Sequence, residues 1–205
     1  MRRFVRAAYR IFVWAANAMG LFRVEMSHED RERFASLRGH VIVANHISLV
    51  DIIILIAHLG DATAIAKAAA ARNPFYSRIV RSAFLVNDDP ATVLNEAGKL
   101  LSDGVNLIVF PEGTRMPSGA SERRLRRGAA QIALAAGVSV QPILIACAPQ
   151  VLGKGQSWHD VGDRTIIYNL KAVDEIVVQS ASVRSHAAAA ELTARIERSL
   201  FPCAG

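Results

Sequence analysis

The 205-residue chain lacks any uncharged apolar run of eighteen residues, the length a bilayer-spanning helix requires, so it contains no clear transmembrane span. It has only two cysteines, Cys147 and Cys203, too few and too far apart to suggest a disulfide framework or a cysteine metal site. Cys147 sits in the apolar run ILIACA and reads as a small core residue; the usage fits a reducing compartment. Acidic residues are in the minority, 18 against 24 Lys and Arg, which gives a net charge of +6 and a pI of about 9.9. A basic excess points to nucleic acid or to an anionic membrane surface. Nucleic acid would ask for arginines interleaved with aromatics or for a docking motif, and neither is present. The basic residues gather instead at the N-terminus (Arg2, Arg3, Arg6, Arg10) and in the run Arg123 to Arg127, where a merely solvated face is the plain alternative. Hydrophobic residues make up 52% and charged residues 20%, which is apolar for a soluble domain and too polar for a multi-span membrane protein. No repeat or low-complexity linker divides the chain, and its length suits one domain.

Residues 1–26 form a distinct N-terminal segment, with residues 27–205 as the main domain. A basic start precedes the apolar run Ile11 to Phe22. A signal peptide and a buried core helix both carry such a run. An amphipathic interfacial helix, lying in the headgroup layer, accounts better for Tyr9 and Trp14 and for Arg6 and Arg10 at i, i+4.

Beyond residue 40 the pattern alternates. His40–Asn45 is a short β-branched strand, Ser48–Leu59 a helix closed by Gly60, and Thr63–Lys67 a second strand. Pro74 opens a helical stretch, and Ala83–Asn87 is a strand. Asp89 and Pro90 cap and start a helix to Ser102. Asn106–Phe110 is a buried strand, Ser121–Ala136 a helix stopped by Gly137, Val138–Ala146 and Arg164–Lys171 strands, and Ser182–Leu200 a last helix. Short apolar strands alternating with helices predict an α/β fold: a mostly parallel sheet covered by helices on both faces, with the N-terminal membrane-associated helix added. In such folds the site forms in the loops past the strands' carboxyl ends.

Two segments occupy such loops. In Asn45-His46-Ile47-Ser48-Leu49-Val50-Asp51, a continuous helix would hold His46 and Asp51 on different faces. With His46 in the loop and Asp51 in the first helical turn, the carboxylate can fold back, orient the imidazole and stabilise its protonated form. Taken alone, Asp51 reads rather as a favourable charge at a helix N-terminus, and His46 as a satisfied structural residue. The second segment, Phe110-Pro111-Glu112-Gly113-Thr114-Arg115, is a tight turn after a strand, with Glu112 to position and Arg115 to donate to an anionic ligand.

Together, HxxxxD and FPEGTR resemble the glycerophospholipid acyltransferase family, typified by 1-acylglycerol-3-phosphate acyltransferases. Lys67 followed by Pro74-Phe75, Arg126-Arg127-Gly128-Ala129, and Val140-Gln141-Pro142-Ile143 resemble further family elements, so the likeness covers about residues 37–146. It implies that His46 deprotonates an acceptor hydroxyl while Asp51 holds it, and that the hydroxyl oxygen attacks an acyl thioester of coenzyme A or acyl carrier protein. Glu112, Gly113, Thr114 and Arg115 would form the acceptor site, with Asn45, Lys67 and Arg127 as further substrate-binding candidates. Neither a metal nor a cofactor is implied. The partners implied are a lipid acceptor, the thioester donor and an anionic membrane surface, at the cytoplasmic face of the inner or plasma membrane. The default acceptor is 1-acyl-sn-glycerol-3-phosphate.

One place departs from the family. Where members that act on phosphate-bearing acceptors carry an arginine, this chain has Asn87-Asp88-Asp89, an acidic pair that would repel phosphate; Arg81 lies before that strand. An amphiphile without the phosphate, such as an amino-acid lipid precursor, is the alternative acceptor. A non-catalytic lipid- or acyl-carrier-binding module and a secreted hydrolase are the other readings. An oriented His–Asp pair is of no use to a pure binder.

Overall fold

A computed structural model describes residues 1–68, 71, 77–87, 89–115, 124–151, 164–178 and 185–202. In chain order the elements are α1 (Arg2–Ala18), β1 (Phe22–Glu25), α2 (His28–Ser36), β2 (Val41–Ala44), α3 (Asp51–His58), β3 (Ala62–Lys67), α4 (Ser77–Ala83), β4 (Leu85–Asn87), α5 (Pro90–Ser102), β5 (Asn106–Val109), α6 (Gly128–Ala136), β6 (Val140–Ala148), β7 (Ile166–Ala172) and α7 (His186–Leu200). The strands form one sheet in the order β1-β7-β6-β2-β5-β3-β4. Among the described residues every neighbouring pair is parallel except β6 with β7. The expected α/β fold with a mostly parallel sheet is therefore present.

β2, Val-Ile-Val-Ala, shows why this sheet needs cover on both sides. All four residues are fully buried, and they alternate between two cores. Ile42 and Ala44 face a cluster built with Ile54 and Leu55 of α3, Phe34 of α2, and Val13 and Ala16 of α1. Val41 and Val43 face a second cluster with Ala97 of α5, Ala129 and Ala133 of α6, and Leu192 and Ile196 of α7. Alanine on α5 and α6 lets those helices lie close to the strands. Asp89 caps α5, accepting from the Thr92 N–H at 2.8 Å, and Pro90 follows it, as the sequence predicts. Gly137 closes α6 in the left-handed conformation, φ 66°.

Several expected boundaries move. Two elements between residues 22 and 36 went unread: β1, an edge strand paired with β7, and α2, whose Ser27 cap accepts from the Asp30 N–H at 3.0 Å. The N-terminal helix accordingly ends at Ala18, not near residue 26, because Gly20 turns the chain at φ 72° into β1. α6 starts at Gly128; Arg124 to Arg126, assigned to that helix from sequence, lie outside it. Pro74 and residues 182–184 lie outside the described residues.

α1 has three faces. Val5, Val13 and Ala16 are buried, the last two in the α3-side core. Phe4, Ile11 and Trp14 form a stripe exposed by 65% or more. Arg2, Arg6 and Arg10 run between these faces, and Arg2 pairs with Asp61 at 3.3 Å. Among the described residues no helix is long and apolar enough to cross a membrane. Cys147 is half-buried on β6, and burial pushes its thiol pKa up, consistent with an inert packing residue.

Asn106 ties the amino ends of the strands together. Fully buried, it donates to the Leu37 carbonyl at 2.8 Å and accepts from the His40 N–H at 3.1 Å. Asn106→Ala should lower unfolding free energy by about 2–4 kcal/mol, because two buried backbone groups lose their partner. Urea unfolding measures this; an unchanged midpoint would mean that water satisfies both groups.

Candidate active site

The two motif loops meet because the strands that launch them are neighbours. β2 and β5 pair in parallel with Val43 opposite Val109. Three residues beyond that pair, His46 lies beside Glu112, and its N–H donates to Glu112 Oε1 at 3.4 Å. Both loops thus leave the same carboxyl edge of the sheet, where parallel α/β folds place ligands.

Asn45 fixes the departure of the first loop. Its side-chain amide donates to the Ile145 carbonyl at 2.7 Å and its oxygen accepts from the Ile145 N–H at 2.8 Å, locking the end of β2 to β6. The side chain expected to contact substrate is committed to the backbone, so Asn45 holds the position from which His46 projects.

Asp51 opens α3 and folds back, as the HxxxxD spacing requires. Its Oδ2 accepts from His46 Nδ1 at 2.9 Å and from the backbone N–H groups of Ile47 and Ser48, both at 2.8 Å. The carboxylate is wholly buried, while the His46 side chain is 19% exposed. Charge-assisted bonds of this kind are short and directional. With Nδ1–H given to Asp51, Nε2 carries the imidazole lone pair. The Phe110 ring stacks on His46 with centroids 4.1 Å apart and planes 20° apart, which fixes the ring's remaining freedom. The pair can therefore present one oriented imidazole nitrogen backed by a buried carboxyl group.

Sequence reasoning missed the far end of this network. Tyr168, on β7, is fully buried and donates to Ser48 Oγ at 2.7 Å. Ser48 Oγ also accepts from the Val50 N–H at 3.4 Å, so the tyrosine braces the loop between His46 and Asp51. Burial pushes the Tyr168 pKa well up, which keeps the hydroxyl a donor. No local signal marks Tyr168, which reaches Ser48 from 120 residues away.

In the second loop, Glu112 is almost fully buried, and Thr114 and Arg115 are half-buried. Gly113 has φ 68°, and a Cβ there would sit 2.8 Å from Arg126 Nε. Arg126 thus runs across the face of the turn, and its N–H donates to the Pro111 carbonyl at 2.8 Å. Arg127 caps α6 and is exposed beside Arg126. Lys67 ends β3 opposite Asn87; its side chain lies outside the described residues. No group of three metal-ligating side chains occurs among the described residues.

The profile of the family described as Acyltransferase matches residues 25–146, more than half of the chain. The chain belongs to the Acyltransferase family. It is 28% identical over 148 residues to the 1-acyl-sn-glycerol-3-phosphate acyltransferase of Borreliella burgdorferi, a match covering 69% of this chain and 56% of that protein. It is 31% identical over 112 residues to the enzyme of the same name from Helicobacter pylori, covering 51% of this chain and 47% of that one. The matches thus span about half the length of these curated relatives. In fold, the chain resembles the crystal structure of the 1-acyl-sn-glycerophosphate (LPA) acyltransferase PlsC from Thermotoga maritima, with a TM-score of 0.67 and 23% identity over all of this chain and 82% of that one. The family match contains both motif loops and ends within β6, so β7 and its Tyr168 lie beyond it.

Gly113→Ala should cost about 1–2 kcal/mol for the left-handed backbone alone, and should also displace Arg126. Thermal unfolding together with acceptor KM measures both effects. Wild-type stability and KM would show that the turn relaxes freely.

Proposed function

We propose that this chain moves a fatty acyl group from a thioester of coenzyme A or acyl carrier protein to a lipid hydroxyl, with 1-acyl-sn-glycerol-3-phosphate as the default acceptor. The observation that carries this is the His46–Asp51 pair: a part-exposed imidazole with free Nε2 and a buried carboxylate held by two N–H groups. The names of the curated relatives support the acceptor class.

The acceptor O–H gives its proton to His46 Nε2 as its oxygen bonds to the thioester carbonyl carbon. Asp51 stabilises the imidazolium so formed. The tetrahedral intermediate collapses, the C–S bond breaks, and the departing thiolate takes the proton back from Nε2. The products are an ester and a free thiol, and His46 is restored. No acyl-enzyme, metal or cofactor takes part. Arg115, and the turn that presents it, would hold the acceptor's anionic end.

The departure at residues 87–89 favours a second acceptor class, an amphiphile without phosphate. Asp89 bears on this. Its carboxylate accepts from Thr92 N–H and Oγ1, both at 2.8 Å, and the Thr92 backbone bond first of all holds its pKa below the usual range. Its charge faces the α5 N-terminus, so it opposes a bound phosphate less than a free carboxylate would. Asp88 lies outside the described residues.

His46→Ala should keep the fold by circular dichroism and lose about 10²–10⁴ in kcat/KM, the usual span of a positioned general base. Matched acceptors with and without phosphate, assayed on the wild type, separate the two acceptor classes. Wild-type turnover in the alanine variant would place the base elsewhere, and a wild type that binds acyl carrier without turnover would make the chain a binding module.

The exposed stripe of α1 supports an interfacial role at an anionic membrane surface. Phe4, Ile11 and Trp14 would enter the headgroup boundary beside the Arg2, Arg6 and Arg10 flank. A cytosolic donor would place this on the cytoplasmic face. Wild-type protein should sediment with vesicles containing anionic lipid and show a blue-shifted tryptophan spectrum. The triple change Phe4→Ser, Ile11→Ser, Trp14→Ser should abolish sedimentation; equal sedimentation of both proteins would remove α1 as the anchor.

A further inference from the structure

A cleft of about 870 Å³ opens beside the FPEGTR turn, on the side away from α1. One wall is the segment before α6, with Arg124, Arg126 and Arg127; the other is α7, with Ala190, Thr193 and Ala194. Glu112 lies at its inner end, and Glu112 is also the residue that meets the His46 backbone. Glu112 thus joins the cleft to the His46 backbone, and α7 lines the cleft from Ala190 to Glu197, about 10 Å of helix. Three guanidinium groups outweigh the two carboxylates. The α6 N-terminus adds positive charge, having no side-chain cap and no acidic residue in its first turn. On α7 the facing side chains are small, which leaves room for an extended arm.

We propose that this cleft binds the phosphate-bearing arm of the acyl donor, with Arg124, Arg126 and Arg127 as its phosphate ligands. This rests on the acyl-transfer function proposed above. A thioester carbonyl placed at His46 Nε2 puts the first phosphate of a pantetheine arm many bonds away. Its ligands must therefore lie outside the dyad, and the cleft that holds these arginines meets the His46 backbone through Glu112. Arg126 has a double position: its guanidinium crosses Gly113 on the acceptor turn while it lines the cleft. The phosphate can come from the nucleotide end of coenzyme A or from the single phosphodiester of a carrier-protein arm.

The test compares wild type with Arg124→Gln plus Arg127→Gln, leaving Arg126 to hold the turn. Three donors carry the same acyl chain: the coenzyme A thioester, the acyl carrier protein thioester and the phosphate-free pantetheine thioester. The preference of the wild type for phosphate-bearing donors, read as a ratio of KM values, should fall by about tenfold or more per arginine. Loss against both carriers assigns the cleft to the shared pantetheine phosphate; loss against coenzyme A alone assigns it to the nucleotide phosphates. An unchanged ratio overturns the proposal, as does a rise in KM confined to a phosphate-bearing acceptor. Should the wild type turn over no donor, the acyl-transfer function fails instead. Direct calorimetric binding of coenzyme A then decides the cleft: weaker binding by the variant upholds it, and equal binding overturns it.

Discussion

The active-site arrangement depends on one strand pairing. β2 and β5 lie side by side, parallel, with a register that carries His46 to Glu112. The proposed chemistry draws on both motif loops. The first holds a base and its carboxylate; the second holds an acidic residue, a left-handed glycine and an arginine. The pairing fixes their separation through backbone hydrogen bonds in the driest part of the molecule, where β2 is fully buried on both faces. A slip of the register would part the loops and also turn every β2 side chain to the wrong core.

Within the first loop, the same economy recurs on a smaller scale. One oxygen of Asp51 receives the imidazole and two backbone N–H groups, so the bond that orients the base also shapes the loop that carries it. Phe110 stacks on the ring from the second loop, and Tyr168 braces Ser48 from the antiparallel strand. The imidazole is thus fixed by its own loop and by two elements distant in sequence. In the proposed reaction, such preorganisation would avoid reorientation at the moment of proton transfer.

Much of this was legible in the sequence, for physical reasons that can be named. HVIVAN and NLIVF read as strands because parallel strands buried on both faces are continuous apolar runs. Asp89-Pro90 and Gly137 read as helix ends because capping and left-handed geometry restrict residue choice. The two loops read as a site through their joint resemblance to the glycerophospholipid acyltransferase motifs; the spacing of either loop alone would not have marked one. What escaped notice had weaker local signals. β1, FRVE, is short and alternates polar and apolar residues; its strand character comes from pairing with β7. Arg124 to Arg126 continue a helical-looking run, yet the Pro111 carbonyl takes the Arg126 N–H and holds the segment outside α6. Asn45 was read for its chemistry, while its contacts are those of a structural clamp. Tyr168 could not be found at all, since its role exists only once β7 is folded next to β6.

The position of β1 has a consequence for the order of folding. Phe22 pairs with Ile166, so among the described residues β1 finds its sheet partner in β7. On a ribosome, β1 emerges more than a hundred residues before this neighbour. A nascent chain lacking β7 would carry β1 as an unpaired edge and leave Ser48 without the tyrosine that braces it. Sheet closure and the bracing of the His46 loop therefore fall in the same late step, and contacts so distant in the chain set a slow pace for it. The His46 loop would gain its final rigidity only after β7 has been made.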